Sequence, residues 1–259
     1  MSGSMSPDDH KRLAGKVALV TGASRGLGKS MAIALGEAGA SLALVSRDEE
    51  SLREVSKEAG TLGVVSETFQ ADVSREQDVE HLREATIKRF GEVNILVNNA
   101  GVNIRKPITE FTTGEWRSVI DTNLIGPFLM CRAFVPHMKG RGYGRIINTT
   151  STMSHVATAN RTAYAASKAG LLGFTKALAI ELAPEGITVN GISPGWFETE
   201  LTKPIWSNPE ANENLISRIP LGRWGDVKDV AKLAVYLCSE DASYITGTDI
   251  LIDGGYVAQ

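Results

Sequence analysis

Cysteine is nearly absent from this chain of 259 residues, which contains only Cys131 and Cys238. Both lie within apolar helical patterns, so we expect buried thiols in a reducing cytoplasm rather than a disulfide framework. The chain also lacks an apolar run of the roughly 20 residues that a membrane helix requires. Its first ten residues are polar and no apolar signal core follows them, which argues against a secretory signal.

An excess of charge of either sign is lacking as well. The chain has 27 Lys and Arg residues against 30 Asp and Glu residues, which gives a net charge of −3. This balance leaves no basic footprint for nucleic acid or for an anionic membrane, so neither is expected as a partner. No residues are assigned to a metal site. The composition, 42% hydrophobic and 22% charged, is typical of a globular protein with a sizeable core.

Short apolar runs alternate with longer helical patterns along almost the whole chain. The predicted strands are Val17–Val20, Leu42–Val45, Val64–Phe69, Ile95–Val97, Arg145–Asn148, Thr188–Ile192 and Ile250–Ile252. The predicted helices cover about 27–38, 49–60, 76–90, 114–138, 162–184 and 227–239. This alternation predicts an α/β fold, a doubly wound parallel sheet of about seven strands with helices on both faces.

The chain shows no internal repeat, low-complexity tract or linker. We interpret residues 1–15 as a flexible leader and residues 16–259 as a single domain. Residues 194–220 break the rhythm, because they carry four prolines and three large aromatic residues. Such a stretch is either a lid over a binding site or a packed irregular connection.

A glycine-rich turn follows the first predicted strand. It runs from Thr21 to Gly28 and contains, in order, Gly22, Ser24, Arg25, Gly26 and Leu27. Glycines where a strand passes into a helix let the backbone approach a pyrophosphate, whose charge the helix N-terminus favours. The spacing is Gly-x-x-x-Gly-x-Gly and not the common Gly-x-Gly-x-x-Gly, so the motif alone is a weak signal. Its position after the first strand of a strand–helix–strand unit strengthens the prediction of a dinucleotide site.

The end of the second strand indicates which dinucleotide binds. An acidic residue there would bind ribose hydroxyls, whereas an arginine would accept a 2′-phosphate. This chain has Ser46 and Arg47, and Arg25 of the glycine turn is able to reach the same spot. NADP(H) is therefore favoured, while Asp48 leaves NAD(H) possible.

Tyr164 and Lys168 form the most suggestive pair of side chains. They lie four residues apart at the start of a predicted helix, so the phenol and the ammonium share one face. A nearby cation favours the phenolate, which makes proton exchange available near neutral pH. Ser151 lies thirteen residues upstream, at the end of an apolar run.

Together these motifs resemble the short-chain dehydrogenase/reductase family, and the resemblance runs from about Lys16 to the C-terminus. Asn123, Ser151, Tyr164 and Lys168 match the catalytic tetrad. Asp72-Val73 matches the pair that contacts adenine, and Asn98-Asn99-Ala100-Gly101 matches the motif after the fourth strand. Pro194-Gly195 with Thr199 matches the loop that holds the nicotinamide carboxamide, and Asp253-Gly254-Gly255 matches the C-terminal signature. The resemblance implies a Rossmann-type fold that binds NADP(H) or NAD(H).

By this resemblance the reaction is reversible hydride transfer between the nicotinamide and a carbonyl or secondary alcohol. Tyr164 would exchange the proton and Ser151 would polarise the carbonyl oxygen. Lys168 would lower the Tyr164 pKa and hold the nicotinamide ribose, and Asn123 would position a relay water. Family members usually form homotetramers.

Within the family, the loops look closest to gluconate 5-dehydrogenase and related sugar-acid dehydrogenases of carbohydrate metabolism. A small-molecule sugar acid or polyol is then the expected substrate. Its predicted contacts are Arg105, Met153, His155 and Trp196, although an exposed loop arginine and a space-filling histidine are equally consistent with the pattern. Two alternatives stay open: a 3-oxoacyl-[acyl-carrier-protein] reductase, and a non-catalytic regulator that senses NADP.

Overall fold

Seven parallel strands form the centre of the protein, in a computed structural model that describes residues 11–259. The strands are β1 Val17–Thr21, β2 Ser41–Ser46, β3 Ser66–Gln70, β4 Ile95–Asn98, β5 Gly144–Thr149, β6 Ile187–Pro194 and β7 Asp249–Ile252. Their order in the sheet is β3-β2-β1-β4-β5-β6-β7. The predicted doubly wound α/β fold is confirmed.

Nine α-helices lie along the described part of the chain. They are α1 Gly26–Glu37, α2 Glu49–Thr61, α3 Glu76–Phe90, α4 Thr113–Ile120, α5 Gly126–Met138, α6 Thr162–Leu182, α7 Lys203–Trp206, α8 Pro209–Ile216 and α9 Val227–Cys238. Elements predicted from hydrophobic periodicity fall within a few residues of these bounds. The third strand begins at Ser66 rather than at Val64, because the Val64 amide donates to the Ala59 carbonyl in the preceding turn.

Side chains of the central strands alternate between two buried layers. In β1, Ala18 and Val20 pack into the layer formed with α1 and α9, whereas Val17 and Leu19 pack into the layer formed with α3, α5 and α6. Since a strand turns successive residues to opposite faces, apolar residues at every position are expected of a sheet covered on both sides. This packing fixes the carboxyl ends of all seven strands at one edge.

The helix predicted over 114–138 is interrupted. Between α4 and α5, Asp121–Ile125 forms one π-helical segment, in which the Gly126 amide donates to the Asp121 carbonyl. Such bulges are common at functional sites, and Asn123 lies in this one. The whole span Thr113–Met138 is long and apolar enough to cross a membrane, but 56% of its most apolar window is buried in the protein. It is therefore an interior helix pair of this fold.

The structure adds detail to the predicted N-terminal boundary of the domain and to the stretch 194–220. Leu13 is buried in the core and its amide donates to the Ala38 carbonyl, so the packed chain begins before the predicted boundary at residue 16. Residues 1–10 of the predicted leader lie outside the described residues. The stretch 194–220 contains α7 and α8, and it packs as a small cluster of Trp196, Leu215, Ile219 and Tyr256.

Candidate active site

The cavity of interest lies where the strand order reverses, between β1 and β4, at the carboxyl ends of the strands. Helices leave this sheet in opposite directions at such a point, which opens a crevice. The cavity has a volume of about 730 Å³. Every residue predicted to bind the cofactor lines it, and so do three of the four tetrad residues, Ser151, Tyr164 and Lys168.

The glycine turn after β1 is closed too tightly for side chains. Gly22 has a φ of +64°, and a Cβ at Gly28 would lie 2.2 Å from the Gly22 carbonyl oxygen. Asn99, after β4, fixes the turn because its amide nitrogen Nδ2 donates to the carbonyls of Thr21 and Gly22 at 3.1 and 3.3 Å. The bare backbone at the start of α1 fits the pyrophosphate of a dinucleotide.

At the far end of the cavity, polar groups gather beside the last residue of β2. Ser46 and Ser24 share a hydrogen bond of 3.2 Å, and Arg25 and Arg47 line the same wall. The Asp48 carboxylate instead caps α2, where it accepts hydrogen bonds from the amide and hydroxyl of Ser51. The carboxylate that left NAD(H) possible is thus held by Ser51, and Asp48 lines the cavity together with Arg25 and Arg47.

Arg47 also contacts the predicted adenine pair. Its Nη1 lies 3.6 Å from an Asp72 carboxylate oxygen, and the arginine side chain is 66% exposed. Burial opposes ionisation of Asp72, but hydrogen bonds from Ser74 and the charge of Arg47 outweigh it and hold its pKa below the ordinary value. Val73 continues the wall next to this carboxylate.

Ser151 and Tyr164 meet at the opposite end of the cavity. Ser151 follows β5, and its hydroxyl accepts a hydrogen bond of 3.1 Å from the Met153 amide. Burial raises the pKa of the Tyr164 phenol, and a hydrogen bond with Ser151 and the charges of Arg161 and Arg105 oppose that rise. The phenol therefore carries its proton at neutral pH, which is the state that a proton donor requires.

Lys168 is buried one turn further along α6. Its Nζ donates to the Thr149 carbonyl at 2.5 Å and lies 5.7 Å from the centre of the Tyr164 ring. Burial lowers the pKa of Lys168 to about 8, and the Asp249 carboxylate partly opposes this shift. Arg161 and Arg105 provide the charges that lower the Tyr164 pKa. The Tyr164–Lys168 spacing predicts this effect from Lys168 instead.

Asn123 lies behind this group and does not line the cavity. Both of its amide hydrogens are used, since Nδ2 donates to the Val102 carbonyl at 2.9 Å and to the Ser167 hydroxyl at 3.0 Å. Its Oδ1 accepts from the Val102 amide at 2.8 Å. The side chain therefore ties the loop after β4 to α6, which positions Lys168.

Three of the four predicted substrate contacts line the cavity. Arg105, Met153 and Trp196 line the cavity, whereas His155 is not part of its wall. The His155 ring lies instead 2.7 Å from a carboxylate oxygen of Asp249, and its contact with a substrate stays a prediction. The two residues are 94 positions apart, and no local pattern would have paired them.

Asp249 joins His155 to the backbone of Ser151 through Ser193. The carboxylate also accepts hydrogen bonds from the hydroxyls of Thr150 at 2.6 Å and Ser193 at 2.7 Å. Ser193 in turn is 3.0 Å from the Ser151 carbonyl. The network supports Ser151 from the side that faces away from the cavity.

Sequence reasoning missed Arg161, which lines the cavity beside Tyr164 and is only 9% exposed. It precedes α6 and belongs to no motif named above. Its position three residues before Tyr164 was the available signal, because helix geometry places such neighbours on one side. Among residues 11–259 no cluster of three or more metal-ligating side chains occurs.

Comparisons with known proteins agree with this geometry. The family profile described as enoyl-(acyl carrier protein) reductase matches residues 22–257. The 3-oxoacyl-[acyl-carrier-protein] reductase of Thermotoga maritima is 37% identical over 247 residues, which cover 95% of this chain and 99% of that protein. The 3β-hydroxysteroid dehydrogenase 1 of Eggerthella lenta is 41% identical over 245 residues, 94% of each chain.

Solved structures show the same fold. The structure of a gluconate 5-dehydrogenase from Burkholderia cenocepacia, in complex with NADP and tartrate, superposes with a TM-score of 0.93. It is 34% identical and covers 98% of this chain and 100% of that one. Fold, cavity and relatives together place the chain in the short-chain dehydrogenase/reductase family, as an oxidoreductase that acts on CH–OH and C=O groups.

Proposed function

We propose that this chain is an NADP(H)-dependent dehydrogenase that interconverts the hydroxyl and keto forms of a sugar acid or a related polyol. The observation that carries the proposal is a cavity with arginines at both ends. Arg25 and Arg47 stand where the 2′-phosphate of the adenosine ribose would lie, and Arg105 stands beside Tyr164. A carboxylate-bearing substrate and a phosphorylated coenzyme both suit such a cavity.

The described residues fit the coenzyme along its whole length. Gly22, Gly26 and Gly28 would hold the pyrophosphate against the start of α1, and Asp72 would contact adenine. Asn99, Ala100 and Gly101 would border the nicotinamide ribose, and Pro194, Gly195 and Thr199 would hold the carboxamide. When bound, the nicotinamide would supply or accept the hydride.

The chain's own part in the reaction is acid–base chemistry and orientation. Tyr164 holds a proton in its buried hydroxyl and would deliver it to the carbonyl oxygen as negative charge develops there. The Ser151 hydroxyl would donate to the same oxygen, fixing the substrate before the chemical step. In the oxidative direction Tyr164 would take the proton back.

Lys168 would return the proton from solvent. A lysine with a pKa of about 8 exchanges protons readily near neutral pH, and Lys168 lines the cavity with its Nζ 5.7 Å from the centre of the Tyr164 ring. Asn123 would keep this lysine aligned through Val102 and Ser167. Lys168 would thus transfer a proton and Asn123 would position that lysine, so the loss of either should slow turnover more than it weakens substrate binding.

Replacement of Tyr164 by Phe tests the catalytic proposal. The variant should bind NADPH as tightly as the wild type, as measured by fluorescence of the bound coenzyme, while turnover of 5-ketogluconate falls by at least about 100-fold. Retained turnover would exclude Tyr164 as the acid. If the wild type turned over no member of a broad panel of ketones and alcohols, the alternative of an NADP-sensing regulator would replace the enzyme.

A second candidate is a 3-oxoacyl-[acyl-carrier-protein] reductase, since the Thermotoga relative carries that name. Docking of an acidic carrier would need free basic residues near β5. Arg132 pairs with Glu76, Arg141 with Glu92, and the buried Arg145 reaches Glu240. Lys139, the fourth basic residue of this region, is exposed and makes no salt bridge in the described part of the chain. Three of the four positive charges are therefore paired, which favours the sugar-acid proposal. Turnover of an acetoacetyl thioester, with none of 5-ketogluconate, would reverse that preference.

We also propose that the protein works as a homotetramer in the cytoplasm. Phe128 on α5 and Ile180 on α6 are 41% and 79% exposed, and apolar side chains on helix faces favour association. Both cysteines are free and buried, as a reducing compartment allows. Light scattering after size-exclusion chromatography would test the tetramer, for which a mass of one or two chains would be the contrary result.

A further inference from the structure

Two arginines, Arg105 and Arg161, line the cavity together with Tyr164. Arg105 comes from the loop after β4, where its Nη2 donates to the Leu201 carbonyl at 3.4 Å. Arg161 comes from the residue before α6 and is 9% exposed. The charges of both are felt at the Tyr164 phenol, which places them next to the reacting oxygen.

Neither arginine has a carboxylate partner within residues 11–259. Arg145 shows how this fold treats an arginine that serves structure alone. Its side chain is 3% exposed, donates to the Gly144 carbonyl and lies 3.3 Å from a Glu240 oxygen. Burying a guanidinium without such an anion lowers the stability of the fold. Arg161 is buried in this way, and binding of an anionic ligand would remove the destabilisation.

The surroundings of Arg161 hold it in place and leave its donors available. Its guanidinium carbon lies 5.1 Å from the centre of the Trp196 ring, in a cation–π contact that restrains the planar group. No hydrogen bond from this guanidinium to another protein group occurs in the described part of the chain. Burial and the nearby charge of Arg105 lower its pKa, the sign of a site that an anion would stabilise.

We infer that Arg161, together with Arg105, binds the carboxylate of the substrate beside Tyr164. The inference rests on the proposed function and extends it: the enzyme selects a hydroxy or keto acid over the neutral polyol of the same carbon skeleton. Charge-assisted hydrogen bonds from two forks orient the acid, which brings its carbonyl oxygen to Tyr164 and Ser151.

The test compares matched acids and polyols on the full-length enzyme with bound NADPH or NADP⁺. Gluconate and sorbitol are a substrate pair that differ by one carboxylate, and tartrate and threitol are a binding pair measured by calorimetry. Arg161→Gln removes the charge and Arg161→Lys keeps it. Arg218→Gln is the matched control, because Arg218 also lies over an aromatic ring, that of Tyr256, but is not part of the cavity wall.

We expect Arg161→Gln to raise KM for gluconate and Kd for tartrate roughly 10- to 100-fold, with little change for sorbitol, threitol or NADPH. Arg161→Lys should restore part of the loss and Arg218→Gln should change nothing. If gluconate is not oxidised but tartrate binding depends on Arg161, the inference stands and the proposed reaction fails. The inference is overturned if Arg161→Gln leaves tartrate affinity and gluconate KM unchanged, or if the wild type binds threitol as well as tartrate.

Discussion

Replacing Lys168 by Met should remove activity and yet stabilise the fold at neutral pH. Burial lowers the pKa of Lys168 from 10.5 to about 8, which corresponds to a cost of about 3 kcal/mol for keeping the ammonium charged inside the protein. Loss of its hydrogen bond to the Thr149 carbonyl offsets about 1–2 kcal/mol of that gain. The free energy of unfolding of the variant should therefore be about 1–2 kcal/mol higher than that of the wild type near pH 7.

The pH dependence of this stability difference separates the effect of the buried charge from the effect of altered packing. Because the folded pKa lies below the unfolded one, the cost is present in full below pH 8 and disappears as the pH rises from about 8 towards 10.5. The excess stability of Lys168→Met over the wild type should shrink across that window and reverse above it.

Urea denaturation at fixed protein concentration, repeated at pH steps from 7 to 10.5, measures this difference. Lys176→Met is the matched control, since Lys176 is an exposed lysine on the same helix and its replacement should change stability by no more than about 0.5 kcal/mol. An excess that stays constant from pH 7 to 10 would refute a depressed lysine pKa. A less stable variant at every pH would show that the bond to Thr149 outweighs desolvation.

Three further changes probe other parts of the cavity. Gly28→Ala places a Cβ 2.2 Å from the Gly22 carbonyl oxygen, so NADPH affinity should fall more than 10-fold, whereas Gly173→Ala on open helix surface should leave it unchanged. Arg47→Asp should shift the ratio of kcat/KM for NADPH over NADH strongly towards NADH, and an unchanged ratio would remove Arg47 from the phosphate site. Asp249→Asn should lower kcat with little effect on NADPH binding, because it weakens the support of Ser151, and normal turnover would show that the network is not needed.

The sheet and its helices could be predicted because each depends on short patterns. Continuous apolar runs such as Val17–Val20 predict strands buried on both faces, and the burial of all four residues in β1 agrees. The glycine turn and the Tyr164–Lys168 spacing could also be read locally, since the chemistry of each depends on residues a few positions apart. Their family then implied the reaction class.

The interruption of the long helix could not be predicted in this way. Its π-helical segment contains Asn123, whose partners Val102 and Ser167 lie 21 and 44 residues away. The periodicity of 114–138 is the same with or without that segment. Likewise, the contact between His155 and Asp249, 94 residues away, could not be seen from the sequence.

The sequence by itself determined the fold class, and its glycine turn and Tyr164–Lys168 spacing indicated candidate coenzyme and acid–base residues, because periodicity and motif spacing act over a few residues. Only the tertiary structure decided which charges are paired. It pairs Arg145 with Glu240 and leaves Arg161, beside Tyr164, without a carboxylate partner among residues 11–259. Pairing depends on which distant side chains share a desolvated space, and that space exists only after the sheet, α6 and the 194–220 segment have packed together.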